Sequence, residues 1–275
     1  MSEHGAAPLC WSVAHVGPIG LSASDCAIGY LLMAGPDEKD PNTLGQPPVH
    51  LEGYGSDSLE GTRIGVVPEW FEFADEAVVR TCKKALDRLK DAGAEIVETD
   101  IPSLEMVRPA HLVIIVSEMA SAQLQYWRRH RNDYAADTRM NLALARRLHA
   151  YDYIQAQRTR LEICSDFARA FEKIDLLATP ATGCTAPPIR KDALGNGESD
   201  LVTTERIMRF APAANLTGLP AISFPVGYDD DGMPVGLQLM ARAYEEHLLL
   251  RAARLAEDIF ERRRPKVYRS LLARP

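Results

Sequence analysis

The sequence predicts an α/β fold, and three observations carry that reading. Residues 63–67 and 95–98 are short β-type runs on either side of a helical repeat at 75–91. Residues 174–178 form a buried-strand pattern. Two more strands, at 221–226 and 235–240, flank an acidic turn and precede a last amphipathic helix. A strand, a helix and a strand of these lengths form a β-α-β unit, whose two strands lie parallel in one sheet through a right-handed crossover.

Each element has its own local cause. A helix over 22–33 starts at Ser22 as N-cap with Asp25 in the capping-box position, carries Ile28, Leu31 and Leu32 on one face, and ends at Gly35-Pro36. Residues 37–61 are rich in Asp, Pro, Gly and Ser without a sustained period, and read as a long surface connection. Within it, Gly55-Ser56-Asp57-Ser58 faintly imitates a nucleophile loop, but no base or oxyanion donor is recognisable beside it, so the linker reading is preferred. The 75–91 helix turns Val78, Cys82, Ala85, Leu86 and Leu89 to one side, and Gly93 stands where a C-cap belongs. Residues 104–129 and 139–173 are long and largely helical, the second broken near 149–151, and look like a helical layer. Their end runs into the 174–178 strand, which Thr179-Pro180-Ala181-Thr182 closes. Asp229-Asp230-Asp231-Gly232 is a hairpin turn, not a metal loop, because a calcium loop needs more ligands at fixed offsets. The last helix, 245–262, packs Leu248, Leu249, Ala252, Leu255, Ala256 and Ile259 on the sheet.

Composition removes several classes of function. The chain has 275 residues, 46% apolar and 25% charged, the balance of an ordinary globular protein. A formal net charge of −7 argues against general binding to nucleic acid, which needs clustered cations to replace condensed counterions. The basic runs 128–131 and 262–264 fall at or near predicted helix ends, where cations complement the dipole and stay solvated. The five cysteines (Cys10, Cys26, Cys82, Cys164, Cys184) are scattered and never spaced Cys-x-x-Cys, which suits a reducing, cytoplasmic compartment and suggests neither disulfides nor zinc. The seven histidines never reach metal-ligand spacing, so no metal and no cofactor are expected. No apolar run approaches a membrane span, and residues 1–8 have neither signal-peptide nor transit-peptide organisation.

Four patches, in order along the chain, resemble the amidase signature family. The first is His15-Val16-Gly17-Pro18-Ile19-Gly20-Leu21-Ser22-Ala23-Ser24-Asp25, with Asp37 and Asp40 after the helix. The second is Leu59-Glu60-Gly61-Thr62-Arg63-Ile64-Gly65, and the third runs from Asp175 through Thr182 to the turn at Ala186-Pro187-Pro188. The fourth and most specific is Asn215-Leu216-Thr217-Gly218-Leu219-Pro220-Ala221-Ile222-Ser223-Phe224-Pro225-Val226-Gly227, followed by Gly232-Met233-Pro234-Val235-Gly236-Leu237-Gln238.

The resemblance implies a mixed β-sheet flanked by helices on both faces, with residues 1–275 forming one partial domain, the C-terminal half of the family fold. It implies an amide hydrolase of the Ser-Ser-Lys type acting on a small-molecule amide. A lysine activates a serine through a bridging serine, and backbone amides hold the oxyanion. No lysine-paired Gly/Ser-rich loop occurs in these residues, so the expectation is that this chain lacks the catalytic set and is inactive alone. The alternatives are a non-catalytic interaction module and one of the subunits of a tRNA-dependent amidotransferase. The family adds the expectation of a homodimer.

Four residues are candidate substrate contacts. Thr179 and Thr182, at a strand end, point into a cleft on one reading and belong to a proline-terminated turn on the other. Gln238 contacts substrate or ties neighbouring backbone. Arg160 stands where the resemblance places an arginine for a carboxylate-bearing substrate, although a helical arginine is also an ordinary surface residue. The apolar stretches 112–116 and 142–148 suit a lipid-like acyl chain and core packing equally.

Overall fold

The structure is a computed structural model describing residues 1–7, 9–188 and 200–263. Arg264, the end of the second basic run, and Pro8 lie outside the described residues. Five strands make one mixed sheet: β1 (Arg63–Val66), β2 (Glu95–Glu98), β3 (Leu176–Pro180), β4 (Ala221–Tyr228) and β5 (Pro234–Ala241), in the order β2-β1-β3-β5-β4. The β1–β2 and β1–β3 pairs are parallel, and β3–β5 and β4–β5 are antiparallel. The β-α-β unit has the expected parallel pairing, with Arg63 opposite Glu95 and Val66 opposite Glu98.

The helices are α1 (Ala23–Met33), α2 (Pro68–Phe71), α3 (Glu76–Asp91), α4 (Leu104–Ala122), α5 (Leu124–His130), α6 (Ala136–Ala145), α7 (Ala150–Phe171), α8 (Leu201–Met208), α9 (Ala211–Thr217) and α10 (Glu246–Ile259). The five buried residues of α3 are the five that its periodicity selects, Val78, Cys82, Ala85, Leu86 and Leu89. Gly93 follows its C-cap at φ +103°, and a Cβ there would lie 2.9 Å from the Glu60 backbone nitrogen, so both the turn and the packing require glycine.

Alternation along the strands builds two cores. Leu176, Ala178, Leu237, Leu239, Phe224 and Val226 face α3 and α10. Leu177 and Met240 face the other way, towards Ile114 of α4, Ile163 and Phe167 of α7 and Leu216 of α9. The sheet is thus covered on both faces, except over β4. There Ala221, Ser223 and Pro225, on the side away from α3 and α10, are exposed.

Several local readings change. Ser22 caps α1 as expected, accepting the Asp25 N–H at 3.1 Å, but Ile28, Leu31 and Leu32 are exposed and only Ala23 and Ala27 are buried. The apolar stripe therefore marks a face left uncovered by the described residues, not a core contact among them. The 104–129 stretch breaks at Gln123 into α4 and α5, and α6 begins at Ala136, three residues before the sequence suggests. The 37–61 connection contains a 3-10 turn at Pro41–Thr43 held by Asp40 and Thr43, whose side chains bond backbone groups of their own turn. The last helix stops at Ile259, because Phe260 is extended. Leu112 and Leu144 are exposed while Ile114, Val116 and Leu142 are buried, so the 112–116 stretch is mainly core and the 142–148 stretch only in part.

Candidate functional site

The third and fourth motifs meet where β3 and β5 pair. The strand runs two residues further than its sequence pattern, through Pro180, so Thr179 sits inside the sheet instead of in a turn and is opposite Gln238. Both are buried, on the face turned away from α3 and α10, and the Gln238 Nε2 donates to the Thr179 Oγ1 at 3.1 Å. Ser223 of β4 is the next partner in register, and it is exposed. The row Thr179, Gln238, Ser223 therefore passes from the buried sheet to its open face.

The helix before β4 ends by rule: Gly218 adopts φ +75°, closing α9 with its N–H on the Ala214 carbonyl at 2.9 Å. Arg160, from α7, reaches this corner. Its Nε donates to the Leu216 carbonyl at 2.6 Å and its Nη2 to the Ser12 carbonyl at 2.8 Å, so it pins the end of α9 to the segment that leads into the Gly17-Pro18 motif. It pairs with no carboxylate among the described residues. The Thr182 hydroxyl donates to the Cys184 carbonyl at 2.7 Å. Of the four candidates, then, Thr179 and Gln238 are brought together, while Thr182 and Arg160 hold backbone elsewhere.

Sequence reasoning missed a neighbouring buried cluster. Glu118 of α4 is fully buried and accepts from the Ser12 N–H at 3.0 Å, the Ser12 hydroxyl at 2.5 Å and the Tyr153 hydroxyl at 2.9 Å. The Gln157 amide in turn donates to Tyr153 at 2.9 Å. Also on α4 and buried, His111 has its Nε2 without a partner. Burial, then the nearby Arg160 charge, lowers its pKa to about 4. The available signal was Glu118 itself, the only acidic residue between Glu105 and Asp133. No group of three or more metal-ligating side chains occurs among the described residues.

The Thr179–Gln238 pair makes a measurable expectation. Thr179→Val should cost about 1–3 kcal/mol, because the Gln238 amide loses its acceptor in a buried site. Adding Gln238→Leu should cost less than the sum of the two single changes, since both polar groups are then gone. Strictly additive costs in urea unfolding would mean that the hydrogen bond does not couple them.

A hollow beside β4, lined by Gly20, Leu21, Phe224 and Pro225 among others, measures about 90 Å³. That is well below the roughly 300 Å³ at the small end of ligand sites. No described helix is long and apolar enough to cross a membrane.

Comparison with known proteins now bears on the four motifs. The Amidase family model matches residues 1–250. A fatty acid amide hydrolase of Medicago truncatula is 39% identical over 269 residues, covering 94% of this chain and 44% of its own length. An amidase of Pseudomonas putida is 33% identical over 253 residues, with 90% and 53% covered. In structure, one of the subunits of the glutamyl-tRNA(Gln) amidotransferase of Thermotoga maritima superposes with a TM-score of 0.76 at 25% identity, covering 94% of this chain and 55% of that one. The chain spans about half the length of the curated relatives it matches. With a family match over most of its length, relatives above 30% identity and the same mixed sheet in solved structures, the chain belongs to the amidase signature family.

Proposed function

We propose that the protein is an amide hydrolase that converts a carboxamide to a carboxylate and ammonia or an amine. The observation that carries this reading is the family match over residues 1–250, which includes every motif around the Thr179–Gln238 row. On this reading the lysine and two serines are supplied by sequence outside residues 1–275, which contribute one part of a larger domain. The serine attacks the amide carbonyl, the lysine takes its proton through the bridging serine, and water releases the acyl-enzyme. Residues 1–275 supply the floor: the open face of β4, with Thr179, Gln238, Thr182 and Arg160 as the positions that shape or contact the acyl side. A hollow of only about 90 Å³ beside β4 accords with a pocket that needs further walls.

The first substrate class to test is a long-chain fatty acyl amide, because the fatty acid amide hydrolases of three plant species stand at 36–39% identity. Cytoplasmic location, with the cysteines reduced, and a homodimer complete the proposal. A second reading, that the protein works inside a multi-subunit amidotransferase, is favoured by relatives named as subunits of glutamyl-tRNA(Gln) amidotransferases at 30–31% identity. Release of ammonia from oleamide and propionamide, and of aniline from an anilide, by the whole protein separates them. Release from oleamide supports the hydrolase. Release from none of the three, with a glutaminase co-purifying, sinks it in favour of the amidotransferase complex.

A further inference from the structure

We propose that the concavity between α5 and α6 is a binding site for a phosphate group carried on a small organic body. The concavity measures about 750 Å³, within the range of small-molecule sites, and its lining includes Arg128, Arg129, Arg131 and Arg139. Charge is sharply segregated here. Residues 124–150 hold six arginines against two aspartates, in a chain whose formal net charge is −7.

The local acids are already engaged. Asp133, which also lines the concavity, pairs with the His130 imidazole at 2.9 Å, and Asp137 accepts the Thr138 N–H at 2.7 Å. Arg128, Arg129 and Arg139 have no carboxylate partner among the described residues. Arg131 is held over the Trp127 ring at 5.3 Å, with Arg146 over the same ring at 4.8 Å, so part of the basic surface is oriented in advance.

The helix dipole accounts for only part of this. Arg128 and Arg129 lie in the last turn of α5, where a cation is favoured, but Arg139 lies near the N-terminal end of α6, where it is not. Four guanidinium groups around one hollow repel each other, and a dianion relieves that repulsion while its oxygens accept paired N–H groups from the planar forks. Met140 and Ala143 line the same hollow and offer apolar contact to the carbon body.

The test measures binding to the whole protein by calorimetry with inorganic pyrophosphate and glycerol 3-phosphate, and by co-sedimentation with phosphatidylcholine vesicles with and without phosphatidic acid. The triple change Arg128→Gln, Arg129→Gln, Arg139→Gln should weaken binding by about tenfold or more, whereas Arg262→Gln with Arg263→Gln should leave it unchanged. Binding of glycerol 3-phosphate more tightly than inorganic pyrophosphate identifies a free phosphoester, and binding only of phosphatidic acid vesicles identifies a lipid headgroup; either supports the site when the triple variant loses it. No binding of any probe at millimolar concentration, or an equal loss in the control variant, overturns it. Amide hydrolysis does not enter these readouts, so the site stands or falls apart from the catalytic reading.

Discussion

Replacing Glu118 by leucine should lower the free energy of unfolding by about 3–5 kcal/mol, because three donors that share one buried carboxylate lose their acceptor together. The Ser12 backbone N–H, the Ser12 hydroxyl and the Tyr153 hydroxyl all point at it. Two of these bonds join residues 106 apart in sequence, so the loss also frees the segment that Arg160 holds from the other side through the Ser12 carbonyl. Glu118→Gln keeps one oxygen acceptor and should cost about 1–2 kcal/mol. Urea unfolding of the whole protein checks this: the midpoint should fall with little change in slope, in the order wild type, Gln, Leu. An unchanged midpoint for the leucine variant would remove Glu118 from any account of how the first fifteen residues are anchored.

The second large effect is on pH dependence. His111 is buried, its pKa is lowered from 6.5 to about 4, and the folded state therefore binds its proton less readily than the unfolded chain does. Stability contributed this way is complete above the unfolded value and declines as pH falls from 6.5 to about 4, where the loss reaches about 3 kcal/mol. Other groups titrate in the same window, so the informative quantity is the difference between wild type and His111→Leu. The leucine variant should be equal to or more stable than wild type at neutral pH, since it removes an unpartnered buried nitrogen, and its advantage should grow by about 3 kcal/mol on acidification. Parallel stability curves for the two proteins between neutral pH and pH 4 would show that His111 takes up its proton without cost.

The fold was legible where one physical signal dominates over a short range. The 3.6-residue repeat named all five buried residues of α3, and the two strands around it paired as a β-α-β unit must. The apolar run at 174–178 and the two strand patterns around the acidic turn located β3, β4 and β5 to within two residues at each end. Reading failed where burial depends on something distant. Ile28, Leu31 and Leu32 form a clear stripe on α1, yet nothing among the described residues covers it, because periodicity reports a face and not its partner. Thr179 read as a strand end or as part of a proline-terminated turn because of Pro180, but a proline at the end of a strand loses only one ladder bond and the pairing with β5 continues through it. The Glu118 cluster was invisible for a related reason: its members come from the N-terminal segment, α4 and α7, and no local pattern links Ser12 to a carboxylate 106 residues away.

The two cores leave each side of the sheet with a guarded sulfur. Cys10 lies in the layer with α4, α7 and α9, its thiol pushed up to about 11 by burial and then by the Glu118 charge. Cys82 lies in the layer with α3 and α10, pushed up to about 12 by burial alone. Neither is a thiolate at neutral pH, and neither meets a reagent until its own layer parts from the sheet. Alkylation at these two positions is therefore a pair of independent clocks, one timing the release of the amino-terminal segment and the other the lifting of the β-α-β helix, within a single native chain.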